Sequence, residues 1–141
     1  MKVMVFVKAN PISESGALPP TEALAAMQNF NESLVKAGVM LAAEGLRPSS
    51  HGVRVKFVGP EPTVIPGPFP ETKDLIAGFW MWQVPSLDDA IAWLKRAPFG
   101  GGVEIELRPI FESEDFGASL TPELRAQNQR LREEMARRNT L

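Results

Sequence analysis

The chain has 141 residues, of which 44% are hydrophobic and 23% are charged, and its formal net charge is −2. This size suits one domain with a buried core, and the balanced charge offers no field that would attract nucleic acid or an anionic membrane. No apolar run approaches the roughly 20 residues that span a bilayer, and the N-terminal run is too short for a signal peptide. We therefore expect a cytoplasmic protein. The absence of cysteine excludes disulfides, thiol catalysis and thiolate metal ligands.

The first part of the chain predicts a strand, a helix and a second strand. Residues 2–8 are rich in valine and apolar on both faces, which is typical of a central strand. Residues 13–20 are expected to form a loop. Thr21 is the expected N-cap of a helix whose apolar stripe ends at Gly38. A second apolar strand is predicted over residues 39–43.

The middle of the chain predicts a short hairpin and a long strand. Residues 53–57 alternate between apolar and cationic side chains, so we expect one buried face, and residues 63–65 can return as the second arm. Residues 76–84 form the next strand, on which Trp80 and Trp82 share a face because they are two apart. A tryptophan pair can line a ligand pocket or pack in a core, but we favour a subunit interface here.

The last part of the chain predicts a helix capped by Ser86 and a strand over residues 103–109. With the hairpin set aside, the order is βαββαβ, which predicts an α+β, ferredoxin-like fold with two helices on one face of an antiparallel sheet. We expect a domain over residues 1–117. Residues 118–141 are read as a linker and a C-terminal helix, with the helix over residues 122–138.

Three motifs carry a resemblance to a known family. Residues 37–39 read Ala-Gly-Val, residues 44–50 read Glu-Gly-Leu-Arg-Pro-Ser-Ser, and residues 67–73 read Gly-Pro-Phe-Pro-Glu-Thr-Lys. In order and spacing these motifs resemble the DGPF family, a branch of the YCII-related proteins. The resemblance covers roughly residues 1–117. It implies a homodimer in which two ferredoxin-like sheets form a dimeric α/β-barrel-like assembly.

The sequence departs from the family pattern at positions that matter for chemistry. Pro66 stands where the loop of the DGPF family has its aspartate. Many YCII-related proteins pair a histidine on the first helix with an aspartate just after the second helix, and this pair is associated with acid–base chemistry. The corresponding positions here are Met27 and Ala97, and neither side chain can transfer a proton. The resemblance therefore implies that the pair has been lost.

Charged and aromatic residues around the proline-rich loop predict one ligand-binding cleft. The two prolines on either side of Phe69 stiffen the loop and set charged residues against the aromatic strand. Glu44 and Glu71 are the candidate bases, although Glu44 can also be a strand-end carboxylate paired with Arg47 or Lys73. The predicted ligand-binding residues are Glu44, Arg47, Phe69, Glu71, Thr72, Lys73 and Trp80.

His51 is the one histidine of the chain and lies in a polar connection. An exposed loop histidine is favoured over a base at the mouth of a cleft. With a single histidine and no cysteine, we predict no bound metal, no cofactor and no histidine-based catalysis.

Three classes of function remain open at this point. We favour a small-molecule-binding or regulatory module, because the proton-transfer pair is lost. The second class is an enzyme of lyase or isomerase type, acting on a small anionic or aromatic substrate with a carboxylate base. The third is a protein-interaction module that uses the aromatic strand and the C-terminal helix.

Overall fold

A computed structural model describes residues 1–139 of the chain, which divides into two compact units, Met1–Pro109 and Ile110–Leu141. The last two residues of the predicted C-terminal extension lie outside the described range. The first unit contains, in order, β1 (Lys2–Lys8), α1 (Pro11–Glu14), α2 (Thr21–Lys36), β2 (Met40–Gly45), β3 (Val53–Lys56), β4 (Thr63–Pro66), β5 (Ile76–Gln83), α3 (Leu87–Leu94) and β6 (Ile105–Pro109). The second contains a 3-10 segment (Ser113–Ser119) and α4 (Pro122–Arg138). The predicted boundary after residue 117 stays a prediction.

The main sheet has four antiparallel strands in the order β2-β5-β1-β6. This is the order that a ferredoxin-like βαββαβ chain produces, and the predicted α+β fold is confirmed. Strands β3 and β4 pair only with each other, as a separate two-stranded sheet between β2 and β5 in the chain. They are the inserted hairpin that the sequence predicts.

The two tryptophans of β5 lie in the core of the first unit. Trp80 is opposite Val5 and Trp82 is opposite Val3, and the two indole rings are 4% and 0% exposed. The expectation that this pair forms a subunit interface is wrong. The pair lies on the sheet face that the helices cover, and burial of two large aromatic side chains there stabilises the fold.

Helices α2 and α3 cover that face of the sheet. Phe30 and Leu34 of α2 and Ala90 of α3 are buried in the same core as the tryptophans. The ends of the helices follow the sequence signals: Gly38 adopts a φ of 72° just after α2, and the Ser86 hydroxyl accepts a hydrogen bond from the Asp89 amide at 3.2 Å. Both helices are therefore fixed by local capping as well as by burial.

The segment before α2 differs from the prediction of a loop. Asn10 caps the short helix α1, because its Oδ1 accepts a hydrogen bond from the Ser13 amide at 2.8 Å while Ser13 Oγ accepts one from the Asn10 amide at 2.9 Å. Pro11 is the first helical residue and suits that position. Thr21 is also not an N-cap: it is the first residue of α2, and Pro20 precedes it without a side-chain capping bond.

The inserted hairpin is exposed on both of its faces. Val53 lies opposite Pro66 and Val55 opposite Val64, so these four apolar side chains share one face. Every residue of β3 and β4 is nevertheless exposed. The prediction of a buried face on residues 53–57 is therefore wrong. The hairpin pairs outside the main sheet, and no core element within residues 1–139 covers it.

The face of the main sheet that is turned away from α2 and α3 also carries apolar side chains. Met4 pairs with Met81 and Phe6 pairs with Phe79 across the central strands β1 and β5, and all four are half-buried. A charged residue of the edge strand β2 extends one of these rows, because Glu44 is opposite Phe79. We call this surface the open sheet face.

The second unit is a 3-10 segment followed by a polar helix. Thr121 caps α4, and its Oγ1 accepts a hydrogen bond from the Leu124 amide at 3.2 Å. The helix covers the predicted residues 122–138. Phe111 and Phe116 pack on each other, with ring centroids 5.0 Å apart. The apolar stripe of α4 is exposed along its length and consists of Leu124, Leu131 and Met135.

Candidate functional site

A cavity of about 430 Å³ lies between α2 and the main sheet. Its walls include Met27 and Asn31 of α2, Gly45 of β2, Trp80 of β5, and Phe99 after α3. We call it the helix-side cavity. Its volume falls within the ~300–1,000 Å³ range of small-molecule sites.

A pair of glycines keeps the helix-side cavity open. Gly45 and Gly78 are opposite each other on β2 and β5, on the same sheet face as Trp80. A Cβ at Gly78 would lie 3.0 Å from the Glu44 carbonyl oxygen, which is closer than side chains normally approach backbone. A Cβ at Gly45 would meet no atom within 4 Å. The space beside Gly45 is therefore open to the cavity, whereas glycine at position 78 allows the backbone of Glu44 to approach closely.

Asn31 is the polar side chain of the cavity wall, and Trp80 fixes its orientation. The Trp80 indole N–H donates to Asn31 Oδ1 at 2.8 Å. Because an indole nitrogen can only donate, the amide oxygen of Asn31 has to face it. Within residues 1–139, the Asn31 Nδ2 group makes no hydrogen bond, so its two N–H donors are left for another molecule.

The aromatic wall is held by edge-to-face packing. The Trp80 ring lies 5.9 Å from Phe99 and 5.9 Å from Phe30, with interplanar angles of 76° and 82°. Its contact with Trp82 is also close, at 5.6 Å between centroids. Rings packed at these distances and angles restrict each other, so this wall is rigid before any ligand arrives.

Glu44 contributes to the cavity differently from the sequence expectation. It lines the helix-side cavity together with Trp80. However, Glu44 is opposite Phe79 in the β2–β5 register, and Phe79 points to the face opposite Trp80. The Glu44 carboxylate is thus exposed on the open sheet face while its backbone borders the cavity. Its assignment as a base stays a prediction.

Arg47 and Phe69 line a second concavity, of about 500 Å³, near the 3-10 turn Ser49–His51. His51 also lines it and is exposed. The Arg54 guanidinium lies 3.8 Å from the centre of the Phe69 ring, a cation–π contact that holds the ring in place.

Ser49 joins three segments at the second concavity. Its backbone N–H donates to Glu14 Oε1 at 3.0 Å, its hydroxyl donates to Glu14 Oε2, and the same hydroxyl accepts from the Phe69 amide at 3.1 Å. The bonds from the Ser49 hydroxyl and backbone lower the pKa of the Glu14 carboxyl from its ordinary value of 4.5. A Cβ at Gly67 would clash with the Ser49 carbonyl oxygen, which requires glycine in the Gly-Pro-Phe motif.

The remaining predicted site residues lie elsewhere. Lys73 lines a third concavity, of about 310 Å³, with Lys8 and Asp74. Glu71 and Thr72 begin the 3-10 turn before β5, where Glu71 is exposed and Thr72 half-buried. The structure thus brings Glu44 and Trp80 to one concavity, Arg47 and Phe69 to another, and Lys73 to a third. Ligand binding by this set stays a prediction.

The family model for the YCII-related domain matches residues 1–114. The chain belongs to the YCII-related family. No curated protein matches the sequence of this YCII-related domain at a significant level. Its membership of the DGPF branch stays a prediction.

One solved structure resembles the YCII-related domain in part. It is the 5-chloro-2-hydroxyhydroquinone dehydrochlorinase of Burkholderia phenoliruptrix AC1100, in complex with 2,5-dihydroxybenzoquinone. The sequences are 17% identical, the match covers 81% of this chain and 98% of the other, and the TM-score is 0.41. A similarity of this size is too weak to transfer a ligand or a reaction.

The two residues that the sequence resemblance assigns to the positions of an acid–base pair are both apolar. Met27 is half-buried and lines the helix-side cavity. Ala97 packs against the core. Their correspondence to the histidine and the aspartate of other YCII-related proteins stays a prediction. Glu44 is the only titratable residue among those of the described chain that line this cavity.

Sequence reasoning missed three contributors to the site: Asn31, Phe99 and the Gly45–Gly78 pair. A polar residue on the apolar stripe of α2 was a signal for Asn31, but its partner on β5 is 49 positions away in the chain. Among residues 1–139, no group of three or more histidine, cysteine, aspartate or glutamate residues is arranged to hold a metal ion. None of the described helices is long and apolar enough to cross a membrane.

Proposed function

We propose that this YCII-related domain is a small-molecule-binding module whose ligand occupies the helix-side cavity. The observation that carries the proposal is the Trp80–Asn31 hydrogen bond, which leaves an oriented amide donor in an otherwise apolar, aromatic wall. Ligand sites in proteins combine such walls with a few placed polar groups. Binding without proton transfer fits the cavity, because Met27 replaces the family's histidine and the Glu44 side chain lies on the other face.

The enzyme alternative lacks a comparable observation. Glu71 is exposed, and it does not line any of the three concavities described above. A general base has to lie within hydrogen-bond reach of the proton that it removes from a bound substrate. Catalysis by Glu44 or Glu71 on a small anionic or aromatic substrate therefore remains a prediction that is not needed to explain the cavity.

Filling the cavity tests the proposal. We expect a panel of small aromatic compounds to shift backbone amide resonances of α2 and β5 in wild-type protein. Gly45→Val should abolish these shifts without unfolding the chain, because a new Cβ at this strand position meets no atom within 4 Å and valine favours strands. Gly101→Val is the matched control, since its Cβ also meets no atom and Gly101 does not line the cavity. Equal binding by wild type and Gly45→Val would refute the proposal.

We further propose that the domain forms a homodimer through the open sheet face. The support is a central block of four apolar side chains, Met4, Phe6, Phe79 and Met81, beside the charged side chains of β6. Glu106 and Arg108 form an ion pair of 3.5 Å there and are exposed. An apolar centre with a charged rim is the usual anatomy of a protein–protein interface.

A further inference from the structure

We infer that the helix-side cavity selects uncharged aromatic compounds that carry a hydrogen-bond acceptor, and that Asn31 is the residue that determines this selection. The inference rests on the proposed function, since it names the chemical class of the ligand for the same cavity. It follows from three features of the wall: the fixed direction of one amide, the shape left by a glycine pair, and the absence of cationic side chains.

The amide of Asn31 has both of its donors free, while its oxygen already accepts one hydrogen bond from Trp80. An amide group can usually rotate to offer either its oxygen or its nitrogen to a ligand. Here the Trp80 N–H holds the oxygen at 2.8 Å, and Trp80 itself is 4% exposed and locked among aromatic rings. The free Nδ2 hydrogens can therefore pair only with an acceptor such as a carbonyl or ether oxygen.

The shape of the cavity favours a flat ring. The Gly45–Gly78 pair removes two side chains from the sheet wall that also holds Trp80, and Phe99 lines the same cavity from the segment after α3. Met27 lines the same space, and a methionine side chain adapts to aromatic rings through its polarizable sulfur. A planar aromatic compound gains contacts on both sides in such a space.

The charge of the wall disfavours anions. No lysine or arginine is among the described residues that line the helix-side cavity. The cavity is open to solvent on one side, so a carboxylate or phosphate would lose part of its hydration there and gain only the Asn31 N–H donors. Burying a charge without a counter-charge costs much more than burying a neutral acceptor. The chemical class is therefore a neutral aromatic acceptor.

Three compounds of one skeleton test the inference on the wild-type chain. Acetophenone has a carbonyl acceptor, ethylbenzene replaces that carbonyl by a methylene group, and benzoate carries a negative charge. We expect acetophenone to bind about 3–10-fold more tightly than ethylbenzene, which is the contribution of one neutral hydrogen bond. Benzoate should bind more weakly than acetophenone. Affinities are measured by titration followed by backbone amide signals of α2 and β5, which both neutral compounds should shift. The Asn31 side-chain amide signals should move further downfield with acetophenone, because only acetophenone accepts a hydrogen bond from them.

Two variants test the role of Asn31 itself. Asn31→Asp keeps an oxygen for the Trp80 indole but replaces the amide donors by an acceptor, so it should lose the preference for acetophenone and gain binding of benzylammonium. Asn29→Asp adds the same charge at an exposed position of the same helix and is the control. Trp80→Phe leaves Asn31 in place but frees its amide, so the preference for acetophenone should fall while both compounds still bind. Trp82→Phe is its control, since the buried Trp82 N–H has no hydrogen-bond partner within residues 1–139.

The outcomes separate this inference from the proposed function. Equal affinity of acetophenone and ethylbenzene in wild type, or an unchanged preference in Asn31→Asp, would overturn the inference while cavity binding stands. Binding of none of the three compounds, together with no difference between wild type and Gly45→Val across the wider panel, would overturn both.

Discussion

At the residue scale, the neighbourhood of Ser49 explains why the Gly-Pro-Phe motif has its sequence and its rigid shape. From the sequence alone, the rigidity of the Gly-Pro-Phe motif is attributed to its prolines. In the structure, Gly67 also lies so close to the Ser49 carbonyl that a Cβ would clash with it. The Phe69 amide then donates to the Ser49 hydroxyl. The motif is thus fixed by a neighbour 18 positions earlier, which a pattern of adjacent residues does not reveal.

The Glu14–Ser49 contact gives a prediction of pH dependence. The bonds from Ser49 lower the pKa of Glu14 in the folded state, so their contribution to stability is fully present above the ordinary value of 4.5 and is lost as pH falls through the lower folded-state pKa. Glu14→Gln should therefore lower the melting temperature at pH 7, and the difference from wild type should shrink below pH 4.5. Thermal unfolding of both proteins across pH 3–7 measures this difference in melting temperature. Glu22→Gln, on the exposed start of α2, is the control. A difference that grows at low pH would contradict the assignment.

At the element scale, strands and helices with strong local signals are predicted well from the sequence. Helix α3 begins where Ser86 caps it, and α4 begins behind Thr121, because the capping signal and the apolar period agree. The existence of the hairpin is predicted correctly, but its predicted burial is wrong. Alternation on residues 53–57 indicates a strand, yet it cannot show whether another element covers the apolar side, and here each residue of β3 and β4 is exposed.

Helix α4 gives a second prediction at this scale. The buried core of the first unit contains only residues between Val3 and Ala90, so the sheet should fold without residues 119–141. The apolar stripe of α4 is exposed in the described chain, so we propose that it docks as an arm, on its own subunit or across the proposed dimer. We expect the truncated chain to keep its circular dichroism spectrum and to dimerise more weakly or melt several degrees lower, since docking of a few aliphatic side chains contributes on the order of 1–3 kcal/mol. Complete unfolding would show that α4 belongs to the core. An unchanged melting temperature would show that α4 does not stabilise the domain.

At the scale of the whole molecule, the open sheet face predicts self-association. Wild-type protein at micromolar concentration should sediment at about twice the monomer mass of 15.5 kDa. Met81→Lys should shift it to the monomer, because it places an ammonium group at the centre of the apolar block. Val35→Lys, on the exposed side of α2, is the matched control and should leave the dimer intact. A wild-type monomer, or a dimer that survives Met81→Lys, would contradict this interface.

The fold and the site differ in how far the sequence predicts them. The order of strands and long helices follows from local periodicity and capping, so the ferredoxin-like fold is predicted from the sequence, while the short helix α1 and the burial of the tryptophan pair are not. The helix-side cavity is assembled from α2, β2, β5 and the segment after α3, and the role of Asn31 exists only because Trp80 donates to it. Such a pairing depends on packing between distant segments. Of the predicted residues, Trp80 and Glu44 lie at this cavity, and Glu44 does so through its backbone.

The most direct test of the central claim is a crystal structure of the full chain soaked with acetophenone. The account predicts electron density for the ring between Trp80, Phe99 and the Gly45–Gly78 pair, with the carbonyl oxygen within hydrogen-bond distance of Asn31 Nδ2. A structure in which the helix-side cavity stays empty at saturating acetophenone, or in which the carbonyl points away from Asn31, would contradict it.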